Sequence, residues 1–295
     1  MEAATLITVA PTGAETAKAD APALPVTLDE LIGTAQACAE LGASVIHVHV
    51  RDADGAPTLD PRRLLDTVAA LRESTELIVQ LSTGGAVSDP ESDRLLALDA
   101  EPDAASCTMG TVNFGPDIFV NRWDFIVELH RQMQERRIVP EYEIFDLGHL
   151  TSLHRLLDKY GQPYGGHVHC DLVMGVPGGM PGTIGVLSTA ISMLPAGATF
   201  SATGVGRSTI PVLLASLAAG GHLRVGMEDT LTYQPGEPVR DNAQLVGRAA
   251  ALARMAQRSP MPVTEARSLL GIAARGPAGA ARRGPTVNLE AGTLS

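Results

Sequence analysis

Lysine is almost missing from this chain of 295 residues: only Lys18 and Lys159 carry an ammonium group. Lys18 falls in a loop and Lys159 at a helix end, so Schiff-base chemistry, which needs a lysine held on a rigid element, is excluded. Aromatic residues make up 3% of the chain, too few for a base-stacking platform. The net charge of -11 argues against nucleic acid and against an anionic membrane surface as partners. Any anionic ligand must be met by arginines placed locally. Three cysteines, Cys38, Cys107 and Cys170, show no C-x-x-C spacing, and such a sparse, odd set suits a reducing cytoplasm. The N-terminus lacks a basic stretch followed by an apolar one. No apolar run approaches a membrane span. The chain is read as soluble and cytoplasmic.

What is present is an alternating pattern. Hydrophobic residues at 45% and charged residues at 19% allow a sizeable core. Apolar, mostly β-branched runs bounded by Gly, Pro, Asp or Asn read as buried strands beginning near residues 5, 44, 76, 139, 166, 198 and 222, and the small-residue segment from 104 reads as another from its place in the alternation. Helical spacing fills the gaps. Thr27 and Glu30 make a capping box for a helix over 28–41. Pro61 opens another, with Leu64, Leu65, Val68 and Leu71 at helical spacing. Further helices are predicted over 90–98, 117–136, 147–160, up to 194, 208–219, 241–257 and 263–270. Eight strands alternating with helices imply parallel βαβ units, and their number and length match a (β/α)8 TIM barrel. A doubly wound sheet is the competitor, but no G-x-G-x-x-G follows the first strand. One catalytic domain over residues 1–272 is expected, with a mobile Ala/Gly/Arg/Pro-rich tail over 273–295.

In such a barrel chemistry gathers where strands end. The second strand reads Ser44-Val-Ile-His-Val-His-Val-Arg51. Residues two apart on a strand share a face, so His47 and His49 project together, as half of a zinc site or as paired core histidines. Other strand ends offer Glu15, Ser82, Ser106, Thr108, Glu141 and Glu143. His167-Val168-His169 is a second such pair, but it lies near a strand start and is read as structural, like His222. His130, His149 and His154 fall on helices and are expected to be exposed. A catalytic zinc takes three protein ligands, and Glu228 is a candidate third, or else a rim carboxylate paired with Arg224. Arg224 and Glu228 share a face; Asp229 faces away or lies in the loop. Either carboxylate could serve as a base.

Assembled, these residues resemble the β-keto acid cleavage enzymes over about residues 4–272. The matching segments are Ala10-Pro-Thr-Gly-Ala-Glu15, Val45-Ile-His-Val-His-Val-Arg-Asp52, Leu81-Ser-Thr-Gly-Gly85, Met109-Gly-Thr-Val-Asn-Phe-Gly115, Glu141-Tyr-Glu-Ile-Phe-Asp146, Gly175-Val-Pro-Gly-Gly179 and Leu223-Arg-Val-Gly-Met-Glu-Asp229. The resemblance implies zinc on His47, His49 and Glu228, with Asp229 as general base and Arg224 orienting it. It also implies substrate contacts from Ser82, Thr83, Gly85, Ser106 and Glu143. Ser106 stands where the family often has Thr, which alters the pocket shape there. Glu15 would pair with a substrate ammonium, or, in the plainer reading, with Lys18 or an arginine.

The implied reaction condenses a β-keto acid, 3-keto-5-aminohexanoate among the candidates, with acetyl-CoA. It yields acetoacetate and a new acyl-CoA, 3-aminobutyryl-CoA for the amino substrate. The resemblance also suggests a homotetramer. The rival is a metal-dependent barrel hydrolase of the amidohydrolase type. Those enzymes carry H-x-H on the first strand and further histidines on the fifth and sixth, whereas here H-x-H lies on the second strand and the fifth carries only Glu. A non-catalytic ligand-binding barrel is the reading from another class.

Overall fold

The computed structural model describes residues 4–274. Its centre is a closed barrel of eight parallel strands. They are β1 (Ile7–Val9), β2 (Val45–Val48), β3 (Ile78–Leu81), β4 (Ala104–Thr108), β5 (Val139–Ile144), β6 (His169–Met174), β7 (Thr199–Gly204) and β8 (His222–Val225). Neighbours in the chain are neighbours in the barrel, and β8 closes on β1. The helices are α1 (Leu28–Glu40), α2 (Pro61–Ser74), α3 (Glu91–Arg94), α4 (Trp123–Arg136), α5 (Leu147–Tyr160), α6 (Ile184–Ser192), α7 (Thr209–Ala218), α8 (Asn242–Met255) and α9 (Val263–Leu270). The capping box of α1 forms as its spacing predicts: Thr27 Oγ1 accepts from Glu30 N–H at 3.3 Å and Glu30 accepts from Thr27 N–H at 3.1 Å. Among the described residues no helix is long and apolar enough to cross a membrane.

The strands explain where the site must be. Along each strand, alternate residues face the barrel interior. At the N-terminal end Leu6, Val45, Ile78, Ala104 and Val139 form an apolar plug with Met261, Ala266 and Leu270 around α9. Each fully buried leucine, isoleucine, valine or methionine side chain there stabilises the fold by about 2 kcal/mol. Two residues further along, the corresponding positions are Thr8, His47, Gln80, Ser106 and Glu141, all buried and all polar. The interior thus turns from apolar to polar along the barrel axis, and polar groups collect toward the C-terminal mouth. The outward faces of the strands pack on the helices in two larger clusters.

Several expectations are corrected. Residues 117–122 are not helical: Val112–Phe114 pairs antiparallel with Asp117–Phe119, and the helix begins only at Trp123. Gly115, at φ 63°, with Pro116 turns the chain there, and β-branched Ile118 suits a strand. His130 and His149 are buried, not exposed. The phenol of Tyr142 lies 3.0 Å from His130 Nδ1, and Phe145 N–H donates to His149 Nδ1 at 3.3 Å. Both histidines sit on the inward stripes of α4 and α5. Leu65, counted with the inward face of α2, is 45% exposed. The proposed tail lies outside the described residues beyond 274.

Candidate active site

β2 ends at Val48, with His47 inside it and His49 one residue past its end. Their ring centroids are 5.4 Å apart. Glu228 arrives from the turn after β8, one strand away across β1. Its Oε1 lies 3.8 Å from His47 Nε2 and 3.7 Å from His49 Nε2. One ligand atom from each residue falls within 4.8 Å of the others. The His47 ring is oriented from behind: its Nδ1 is 2.5 Å from Gln80 Oε1, so Nδ1–H donates and Nε2 keeps its lone pair for the site. Gln80 is the register partner of His47 on β3.

Two glycines set the position of Glu228. A Cβ at Gly226 would lie 1.8 Å from the carbonyl oxygen of Ala10, so only glycine lets the β8 turn approach the end of β1. That oxygen accepts from Glu228 N–H at 3.2 Å. Gly13, at φ +64°, lies over the Glu228 side chain, and a Cβ there would come within 2.8 Å of its Cγ. The Gly13 turn is tied down by Arg51, whose guanidinium donates to the carbonyls of Gly13, Thr16 and Gly55.

Arg224 stands at the centre of the charges. It is 4% exposed and donates to both oxygens of Asp229, at 3.1 and 3.3 Å, and to Glu228 in a short hydrogen bond. Glu143 lies 3.4 Å from it and Asp171 3.6 Å. Asp229 therefore does not face away; it turns in beside Glu228. Burial pushes the carboxyls of Asp229, Asp171 and Glu141 up, and Glu143 up to about 7, although Arg224 opposes the rise. Burial also lowers both imidazoles, His47 to about 3, so they are neutral and available as ligands. Burial alone would raise Glu228, but the charge and hydrogen bond of Arg224 hold it low and ionised.

The arrangement fits a divalent metal. Glu228 Oε2 is buried with no hydrogen-bond partner among the described residues. Two neutral imidazoles and one carboxylate, with room for substrate, are the donor set of a catalytic zinc. Glu141, Glu143, Asp171, Glu228 and Asp229 surround one guanidinium, so a second cation relieves the imbalance.

The cleft beside these groups is lined by His49, Ser82, Gly85, Glu143, Arg224, Glu228 and Asp229, and by Glu15 on the Gly13 turn. Glu15 does not pair with Lys18, whose ammonium is 2.6 Å from Glu30. Thr83 and Ser106 do not line the cleft. They bond each other, Thr83 N–H to Ser106 Oγ at 3.1 Å and Thr83 Oγ1 to Ser106 C=O at 2.9 Å. The second histidine pair is internal: His169 lies 2.8 Å from Thr199 Oγ1 and 3.1 Å from Ser201 Oγ. His222 Nδ1 accepts from Leu6 N–H at 3.1 Å. Gln80, Asp171, Arg51 and the glycine contacts are absent from the sequence-based set. Gln80 alone carried a signal, as a polar residue inside an otherwise apolar strand.

Two imidazoles and a carboxylate that could hold a metal ion converge at the C-terminal mouth of a parallel barrel, beside a carboxylate held by arginine, where enzymes of this fold carry their chemistry. The chain belongs to the beta-keto acid cleavage enzyme family, whose model matches residues 4–272. It is similar to the 3-keto-5-aminohexanoate cleavage enzyme of Acetoanaerobium sticklandii, with 37% identity over 90% of this chain and 98% of the relative. It is also similar to the 3-oxoadipate:acetyl-CoA acetyltransferase of Cupriavidus necator, with 34% identity over 90% and 94%. Among solved structures, apo ObcA shares the fold at a TM-score of 0.74 and 20% identity, covering 85% of this chain and 66% of that one.

Proposed function

We propose that this protein condenses a β-keto acid with acetyl-CoA, releasing acetoacetate and a new acyl-CoA, with zinc held by His47, His49 and Glu228. The convergence of those three donors beside the Arg224–Asp229 pair carries the reading. The 3-keto-5-aminohexanoate and acetyl-CoA named for the relatives supply the substrate class. Zinc at this position would act as a Lewis acid toward the keto acid's oxygens and lower the pKa of its Cα–H.

The chain's own residues do the rest. Asp229 removes the Cα proton, and Arg224 holds it in place through two hydrogen bonds. The Ser82 hydroxyl and the Gly85 backbone line the substrate's side of the cleft. Thr83 and Ser106 act one layer back, by holding the loop that carries Ser82. Glu143 faces the cleft with one oxygen bonded to Thr108 at 2.7 Å. The enolate attacks the acetyl thioester carbonyl. Coenzyme A then migrates to the former ketone carbon, and retro-Claisen cleavage of the Cα bond releases acetoacetate. Glu15, at the rim, would meet an ammonium on the substrate's far end. The reading includes a single catalytic domain over residues 1–272, a cytoplasmic location and a homotetramer.

The test is turnover of a panel of β-keto acids, with and without a 5-amino group, by zinc-loaded protein and acetyl-CoA, followed by mass spectrometry. Acetoacetate together with a new acyl-CoA is expected, with preference for the amino substrate. Turnover of other β-keto acids alone would keep the reaction and remove Glu15 from it. No acetyl-CoA-dependent product would return the hydrolase to the front.

A further inference from the structure

The cleft has two unlike ends. On one side the Gly13 turn brings the exposed carboxylate of Glu15 to the rim. The opposite wall is apolar, built by Phe114, Phe119, Phe145, Val173, Val176 and Val205. The three phenylalanine rings meet edge-on, with centroids 6.2 to 6.5 Å apart.

Two residues beyond Val205 stands Arg207, the one lysine, arginine, aspartate or glutamate in residues 172–223. It is exposed on the short turn Gly206–Ser208, directly after β7. That turn is fastened on both sides. Gly206 N–H donates to the carbonyl of Asp229 at 2.8 Å. Ser208 fits against the loop after β6, where a Cβ at Gly182 would lie 2.3 Å from its Oγ and a Cβ at Gly175 2.7 Å. No hydrogen bond or ion pair of the Arg207 side chain occurs among the described residues. A lone cation is thus held at the edge of the active-site mouth, in a stretch otherwise stripped of charge.

Acetyl-CoA has a complementary layout: a thioester, a long uncharged pantetheine arm, and a phosphorylated nucleotide with several negative charges. A protein of net charge -11 repels that end unless a cation is placed for it. Arginine offers phosphate a forked, permanently charged donor. At the other end of the cleft Glu15 would repel phosphate. We propose that acetyl-CoA enters over the ends of β6 and β7, its arm along Val173, Val176 and Val205 and its phosphates on Arg207. This leaves the Glu15 end to the keto acid's side chain, so the two substrates reach the site from opposite sides. The inference rests on the acetyl-CoA-dependent reaction proposed above.

The experiment compares wild type, Arg207→Ala and Arg207→Lys with two thioesters, acetyl-CoA and acetyl-pantetheine, each varied at fixed 3-keto-5-aminohexanoate, and with the keto acid varied at fixed acetyl-CoA. Acetyl-pantetheine has the arm and the thioester but not the phosphorylated nucleotide. Arg207→Ala is expected to raise the KM for acetyl-CoA about tenfold, the effect of one charge-assisted phosphate contact. Its KM for the keto acid holds, and Arg207→Lys recovers most of the loss. Wild type and Arg207→Ala share one KM for acetyl-pantetheine. An unchanged KM for acetyl-CoA in Arg207→Ala, or an equal rise with both thioesters, would overturn the assignment while leaving the reaction intact. A wild-type protein that turns over neither thioester would overturn the reaction itself, before any substitution is compared.

Discussion

Replacing Arg224 by methionine removes the only guanidinium that, among the described residues, contacts the carboxylate cluster, while keeping most of the side-chain volume. In the folded protein this cation touches Glu228 and Asp229 and lies 3.4 Å from Glu143 and 3.6 Å from Asp171. Removing one partner of a buried ion pair costs about 3–5 kcal/mol, because the other charge is left uncompensated. Two features place this case at the low end. Glu143, pushed up to about 7 by burial, takes a proton readily near neutral pH. Asp171 keeps its hydrogen bond from Thr203 Oγ1 at 2.8 Å. A loss of about 3 kcal/mol at pH 8 is expected. The pH dependence has a definite sign. A carboxyl with a raised folded pKa binds more protons folded than unfolded between its ordinary value and the raised one, so stability falls as pH rises through that window. Without Arg224 the carboxyl pKa values climb further, so the deficit grows toward high pH and shrinks toward pH 5. Urea denaturation of chelator-treated wild type and Arg224→Met at both pH values measures it. A variant within about 1 kcal/mol of wild type at pH 8 would show that the cluster does not depend on this arginine.

The ligand and base roles separate in two substitutions. Glu228→Gln is expected to lose zinc by elemental analysis, and full occupancy would make Glu228 a rim carboxylate. Asp229→Asn is expected to retain zinc and lose at least about a hundredfold in kcat; near-normal turnover would end its role as base. Gly226→Ala forces a Cβ to within 1.8 Å of the Ala10 carbonyl, backbone against backbone, so a destabilisation above about 3 kcal/mol is expected by chemical unfolding. A fully stable, active variant would contradict that contact. His222, lowered to about 4 mainly by burial, is neutral when it accepts from Leu6 N–H. The unfolded chain protonates near 6.5 and the folded one near 4, so this contribution, up to about 3 kcal/mol, is complete above pH 6.5 and lost as pH falls to 4. Imidazole NMR showing His222 titrating near 6.5 in the folded protein would refute it.

The barrel is legible in the sequence because most strands are short apolar runs punctuated by glycine, proline or a small polar residue, and the small-residue strand Ala104–Thr108 is legible from its place in the alternation. The three donors are legible for a simpler reason: a polar residue inside a buried run must face something, and His47, His49 and Glu228 stand at strand ends. What the pattern does not carry is contact between distant segments. Gln80 stands out as a polar residue in an apolar run, but its partner is known only once the register sets it opposite His47. Ser106 reads as a cleft hydroxyl but is occupied by Thr83. His130 and His149 look exposed because a polar residue on an amphipathic helix is assigned outward by default, whereas both bond buried groups behind β5. The hairpin before Trp123 reads as helix because Asp117 imitates an N-terminal cap. Gly13 and Gly226 read as turn residues, although their purpose is to let β1 and the Glu228 turn close on each other.

The proposed reaction makes a specific demand on carbon. Acetyl-CoA labelled with carbon-13 at both acetyl carbons, incubated with the zinc-loaded protein and unlabelled 3-keto-5-aminohexanoate, must deliver its label to acetoacetate. The label is expected at C3 and C4, with the new acyl-CoA unlabelled. Label in the new acyl-CoA, or unlabelled acetoacetate formed without consumption of the thioester, would contradict the transfer.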